Sequence, residues 1–137
     1  MPPDPVKREN TRAWLAKADT DIRSAVADLS VTPPIIEDVL FHCQQAAEKA
    51  LKAFLTWHDR SFDKTHDLER LGLDCISIDV DLVSLLDRAK ELTRYAWMFR
   101  YPGAPYNPTG EEANEALALA REVVGAVLSR LPSEVRP

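Results

Sequence analysis

Residues 36–54 read IEDVLFHCQQAAEKALKAF, and this stretch decides the fold. Ile36, Val39, Leu40, Cys43, Ala46, Ala47, Ala50, Leu51 and Phe54 recur every three or four residues, the period of one apolar helical face. Gln45, Glu48, Lys49 and Lys52 fall on the opposite side. The small side chains of Ala46, Ala47, Ala50 and Ala53 allow a second helix to approach closely. The pattern predicts a helix from about Pro34 to His58.

Working outward, Leu15, Ala18, Ile22, Ala25, Val26 and Leu29 predict a first helix over about Lys7–Leu29. Lys17 and Asp21 lie four apart on its other face, where they would pair weakly. Pro33-Pro34 separates the two helices. Pro2, Pro3 and Pro5 make the N-terminus a flexible lead-in. In residues 59–80, Thr65 is positioned to cap a short helix from His66 to Leu71, which Gly72 would stop. Ile76, Ile78 and Val80 then alternate with Ser77 and Asp79; a lone strand has no partner, so extended loop is expected. A third long helix is expected over Asp81–Phe99, with Leu82, Leu85, Leu86, Ala89, Leu92 and Ala96 inward, ending ahead of Pro102-Gly103. Thr109 and Glu112 form a capping box, from which a fourth helix runs to about Leu131. The chain therefore reads as all-α: an up-and-down bundle of four long helices plus a short helix in the 59–80 connection, forming a single domain over residues 1–137 with its core at about 8–131.

With 17 basic and 22 acidic residues and a net charge of −5, bulk charge does not draw this chain to nucleic acid, so such a ligand would require a local basic patch. Cys43 and Cys75 match no metal spacing, which fits reduced thiols in a cytoplasmic protein. The N-terminus has no signal-peptide pattern, and no apolar run is long enough to span a membrane. The three histidines, His42, His58 and His66, have no Glu three residues before them. The Glu-x-x-His pairs of di-iron bundles are therefore missing and no metal is expected. No Gly-rich phosphate loop, Ser-His-Asp series or Cys-His pair occurs, and no cofactor is expected.

Four segments share one family pattern: Trp14, Ala18, Asp19, Ala25 and Leu29 in the first helix; Cys43 to Ala53 (CQQAAEKALKA); Thr65-His66-Asp67-Leu68; and Arg100-Tyr101-Pro102. In order and spacing the chain resembles the HEPN family (higher eukaryotes and prokaryotes nucleotide-binding) over roughly residues 10–130. The resemblance implies a helical bundle that often forms homodimers. It also implies a cytosolic protein commonly encoded beside, or fused to, a small nucleotidyltransferase. Many such proteins are metal-independent RNases, often toxins of toxin–antitoxin pairs, that use an Arg, a gap of four to six residues, a His, one further residue and a Tyr. Counting from Arg94, the His position holds Phe99 and the Tyr position holds Tyr101. Phenylalanine transfers no proton, and losing the general acid–base group typically costs about 10²–10⁴-fold in rate. Arg60 and His66 satisfy the same arithmetic but lie between the second and third long helices.

The expectation is thus a non-catalytic HEPN-like domain, associated with nucleotide, RNA or protein and working with a nucleotidyltransferase. The alternative is a metal-independent endoribonuclease with a degenerate Arg-x4-His motif. Arg94 and Tyr101 are the candidate catalytic remnants. Arg94, Arg100, Tyr101, His66, Lys49 and Lys52 are the candidate ligand-binding residues, since guanidinium and ammonium groups recognise phosphate. The Thr65-His66-Asp67 turn reads either as a substrate-orienting element or as a helix cap. Glu48, Lys49 and Lys52 read either as a solvated face or as a polar patch toward a partner. Arg94, Arg100 and Tyr101 are expected to line one shallow cleft. The bulk of Tyr95, Trp97, Met98 and Phe99 suggests a dimer contact at the end of the third helix.

Overall fold

The computed structural model describes residues 4–137; Met1, Pro2 and Pro3 lie outside the described residues. Its regular elements are all helices, with no strand among the described residues. Helix α1 spans Pro5–Ser30. Pro5 is its first residue rather than part of a loose lead-in. The Asp4 carboxylate accepts from the Val6 amide, and a proline costs nothing where the first helical amides have no partner inside the helix.

Helix α2 spans Ile36–Trp57 and is the axis of the molecule. It touches α1, and it also packs against the later segments 68–78, 90–96 and 110–129. Thirteen of its 22 residues are buried, so it has no broad solvent face. Glu48 and Lys52, expected on the polar side, are buried along with Gln44, Val39, Leu40, Cys43, Leu51 and Phe54. Helices α1 and α2 form an antiparallel hairpin: Ile35 N donates to Asp28 O, Lys49 reaches Asp21, and Lys7 reaches Asp59. As residue numbers rise in one helix they fall in the other. Asp21 is likewise buried instead of outward, at the helical spacing of Leu15, Ala18 and Ala25.

The 59–80 connection departs from expectation. Helix α3 runs from Leu68 to Ile78, straight through Gly72, so Ile76 and Ile78 are helical and not extended. Asp67, rather than Thr65, caps it, accepting from the amides of Glu69 and Arg70; Thr65 Oγ1 accepts from the Asp67 amide just before.

The expected third long helix is broken. A 3₁₀ turn at Val80–Leu82 leads into α4, Val83–Ala89, and a further 3₁₀ segment covers Lys90–Ala96. Its inner side chains, Leu82, Leu86, Ala89, Leu92 and Tyr95, still face the core. Gly72 is buried because α4 crosses α3 closely there: a methyl group built on it would lie 3.6 Å from Leu86 Cβ. Helix α5, Gly110–Ser129, starts at the Thr109 cap, whose hydroxyl accepts from the Glu112 amide. It runs antiparallel to the 79–96 segment, with Tyr95–Glu112, Arg88–Glu122 and Arg130–Asp79 as rungs. A short 3₁₀ turn, Ser133–Val135, brings Glu134 back to Arg8 and Arg12 of α1.

Because 3.6 Å is ordinary van der Waals distance, Gly72→Ala is expected to stabilise the fold by about 0.5–1 kcal/mol through helix propensity. Gly72→Leu is expected to destabilise it by about 1–3 kcal/mol through overpacking against Leu86. Urea denaturation of the two variants beside the parent checks both signs.

Candidate functional site

Two polar constellations stand out, one inside the bundle and one at its edge. In the first, Glu48 is 3% exposed and both of its carboxylate oxygens are engaged. Its Oε1 takes the His66 imidazole at 2.7 Å and Gln44 Nε2 at 3.1 Å; its Oε2 takes Lys52 Nζ at 3.0 Å. Gln44, fully buried, also donates to the His66 carbonyl at 3.0 Å. Lys52 is 7% exposed, and its ammonium lies over the rings of Trp14 at 5.4 Å and Phe62 at 5.6 Å. Two aromatic faces and one carboxylate thus replace its water. The ionised carboxylate is acceptor-only, so His66 presents Nδ1–H to it and turns Nε2 outward.

Burial pushes the Glu48 carboxyl up, but the hydrogen bonds from His66, Lys52 and Gln44 outweigh it and hold the group below the usual carboxylate range. Lys49 is spoken for as well, donating to Asp21 Oδ2 at 2.6 Å. The two lysines expected to meet a ligand therefore serve internal ion pairs. Of the residues bonded to this carboxylate, His66 alone has its side chain mostly exposed, at 61%. The amide of Leu68 donates to Thr93 Oγ1, so the His66-Asp67-Leu68 turn is tied to both α2 and the 90–96 segment.

The second constellation surrounds the degenerate motif. Phe99 is 8% exposed, stacked near Tyr95 at 6.2 Å between ring centroids and edge-on to Tyr106 at 5.4 Å. The structure does not gather Arg94, Arg100 and Tyr101 into one cleft. Arg94 lines a narrow depression of 160 Å³ with Glu91, Glu112 and Glu115. Its guanidinium lies over the Tyr95 ring and donates to the phenol oxygen at 3.1 Å. The phenols of Tyr95 and Tyr106 both donate to Glu112 Oε2, at 2.6 and 2.7 Å. Burial and that bond to Glu112 push the Tyr95 phenol well above its usual value, while Arg94 pulls it down. The hydrogen bond to Tyr95 raises Arg94 in turn. Three carboxylates around one guanidinium make this depression acidic. Arg100 and Tyr101 line a separate, broader depression of 460 Å³ with Glu37, Phe99 and Asn107. The Arg100 guanidinium stacks over Phe41 at 5.3 Å, and Tyr101 is freely exposed.

The side chains of the other Arg–His pair have separate partners. Arg60 reaches Ser77 Oγ at 3.4 Å while His66 is held by Glu48. Tyr95 and Phe99, expected at a dimer contact, belong to the core of the monomer; Trp97, 55% exposed, does not. Sequence reasoning misses Asp21, Gln44, Glu112 and Tyr106. The signal for Asp21 is its inward spacing between Ala18 and Ala25; for Gln44 it is the run Gln44, Glu48, Lys52 at successive helical turns. Glu112 stands in the Thr-x-x-Glu pattern, which assigns its carboxylate to the cap, whereas only its amide takes part there.

A family model, the HEPN domain, matches residues 11–131. This chain belongs to the HEPN family. The fold agrees: the crystal structure of TT1696 from Thermus thermophilus superposes with a TM-score of 0.77 at 33% identity, covering 90% of this chain and 99% of that one. No curated protein matches significantly in sequence. Among the described residues no helix is long and apolar enough to cross a membrane. In this HEPN domain a packed phenyl ring stands, by count, where the RNase motif places an imidazole.

Glu48→Gln keeps the side-chain shape but leaves Lys52 buried without a counter-charge, and is expected to cost about 3 kcal/mol at pH 7. Glu48 is depressed in the folded state, so its contribution is full above its unfolded value of 4.5 and is lost as pH falls through the folded one. The gap between parent and variant should therefore narrow below that pH, measured by urea denaturation at pH 7 and at pH 3.

Proposed function

We propose that this chain is a non-catalytic HEPN domain that acts by association, in a two-component system of the toxin–antitoxin kind with a small nucleotidyltransferase as its protein partner. The observation that carries the non-catalytic reading is Phe99. Its ring is packed between Tyr95 and Tyr106, so the residue at the motif's histidine position is part of the core and offers no proton carrier. The setting of Arg94 supports the same conclusion. Its guanidinium is engaged by Tyr95 in an acidic depression, which repels the phosphodiester that an RNase must hold. Any phosphate-bearing ligand belongs on the Arg100–Tyr101 side, where one guanidinium is stacked on Phe41 and one phenol is free. What supports the nucleotidyltransferase partner is the resemblance to a family whose members are commonly encoded beside, or fused to, such an enzyme.

Purified protein is expected to leave single-stranded and structured RNA intact, and Arg94→Ala to change nothing in that assay. Phe99→His puts a smaller polar ring into a packed pocket and is expected to cost roughly 2 kcal/mol of stability without creating cleavage. Cleavage by the parent protein that Arg94→Ala abolishes would instead establish the endoribonuclease alternative.

We further propose that the chain is a homodimer through the exposed Trp97, an aromatic anchor of the kind that dominates interface energies. Light scattering at tens of micromolar should give twice the monomer mass of 15.4 kDa, and Trp97→Ser should shift it toward the monomer. A parent protein that stays monomeric rules the dimer out.

A further inference from the structure

At the turn of the α1–α2 hairpin, three donor side chains from two helices converge. Asp28 comes from the last turn of α1, and Asp38 and His42 come from the first turns of α2, one helical turn apart on one face. One ligand atom from each lies within 4.8 Å of the others. The backbone bond from Ile35 N to Asp28 O, 3.0 Å, holds the hairpin ends together.

The imidazole is oriented by a fourth residue. His42 Nδ1 lies 2.8 Å from Asp21 Oδ1, and the other oxygen of this buried carboxylate takes Lys49 Nζ at 2.6 Å. With Nδ1–H given to Asp21, the lone pair of the neutral ring sits on Nε2. That nitrogen faces Asp38 Oδ2 at 3.4 Å. Tetrahedral bonds of about 2.0–2.1 Å place neighbouring ligand atoms about 3.4 Å apart. A carboxylate behind a metal-binding histidine is also the usual supporting arrangement, because it fixes the tautomer and raises the basicity of the ligand nitrogen.

A separate observation concerns Asp28. Its Oδ2 is closed to solvent and accepts from no N–H or hydroxyl among the described residues; the group it meets is the Asp38 carboxyl. A buried carboxylate oxygen without a donor is uncommon and needs a cation, a water or a shared proton to satisfy it. We propose that Asp28, Asp38 and His42 form a binding site for a first-row divalent cation of the zinc class, with solvent as the fourth ligand.

The donor set selects the ion. One imidazole nitrogen and two carboxylates suit zinc and its tetrahedral analogue cobalt; calcium takes six to eight oxygens, and magnesium keeps an octahedral oxygen shell. Two carboxylates balance the two positive charges. The Asp38 side chain is 48% exposed, which gives the ion a path from solvent. Cys43, beside His42 in sequence, is fully buried in the core and does not compete. The sequence search for Glu-x-x-His pairs passes over this set because Asp38 and His42 are four apart and the third donor is on the other helix.

The competing arrangement has no metal at all: an imidazolium bridges Asp21 and Asp38, and a proton sits between Asp28 and Asp38. A metal titration separates the two. Protein treated with EDTA and then dialysed is titrated with zinc chloride by calorimetry and with cobalt chloride by visible absorption. The proposal requires one ion per chain, a tetrahedral cobalt spectrum, and a thermal midpoint that rises on saturation with zinc. Asp28→Asn, Asp38→Asn and His42→Gln should each abolish saturable uptake, and Asp21→Asn should weaken it by about 10–100-fold. Asp59→Asn, far along the hairpin, should bind as the parent does. The Asp38 side chain is half exposed, so its variant tests the site even if another fails to fold, as checked by circular dichroism. The proposal is overturned by absence of saturable zinc uptake at micromolar concentration. It is equally overturned by uptake that Asp28→Asn and Asp38→Asn leave unchanged.

Discussion

The rest of the molecule depends on the burial of Glu48. A carboxylate at the centre of the axial helix is tolerable only if the lone pairs that left water find donors. Lys52 and Gln44 come from the same helix, so α2 partly satisfies itself. The third donor must come from outside, and His66 supplies it from the connection between α2 and α3. Gln44 then closes the circuit on the backbone of that residue. The position of the 59–67 connection is thereby set by electrostatics as well as by apolar packing, and Trp14 and Phe62 complete the enclosure around Lys52. With His66 placed, Asp67 caps α3 and Thr93 receives the Leu68 amide, which draws the 90–96 segment onto α2. One buried charge thus organises three elements that are far apart in sequence.

The same logic applies around Arg94 and Phe99. Arg94 is exposed yet donates to Tyr95, and the two phenols beside it converge on Glu112. Tyr106, from the irregular stretch before α5, joins the capping-box residue Glu112 to the Phe99 ring. The cluster fastens the 101–109 loop to the bundle. Its two phenols and the Glu112 carboxylate bond one another, with one further bond from Arg94.

Much of the architecture is legible in the sequence because periodicity reports burial. The apolar stripes of α1, α2 and α5, the Thr109 cap and the proline boundaries all require only local reading. The errors have different causes. Glu48 and Lys52 read as outward because they are polar, yet a helix packed on most sides buries polar residues too, and Asp21 lies on the one buried face of α1. Gly72 reads as a stop because glycine commonly ends helices; here a close crossing by α4 accounts for it. The split of Arg94 from Arg100 is illegible for a different reason. It depends on how the backbone winds after Ala89, and no side-chain pattern in Lys90–Ala96 announces that change.

That winding has a consequence for comparing this chain with its relatives. A 3₁₀ segment turns about 120° per residue and rises about 2.0 Å, against about 100° and 1.5 Å in an α-helix. Over the seven residues Lys90–Ala96 the difference accumulates to about 140° of rotation and about 3.5 Å of translation. Two proteins can therefore align letter for letter through this stretch while aiming the following side chains toward different neighbours. Residue 99 occupies the histidine column of an alignment by count, but its direction in space is set by helical pitch. Correspondence of a functional motif in this region is a matter of torsion as much as of sequence.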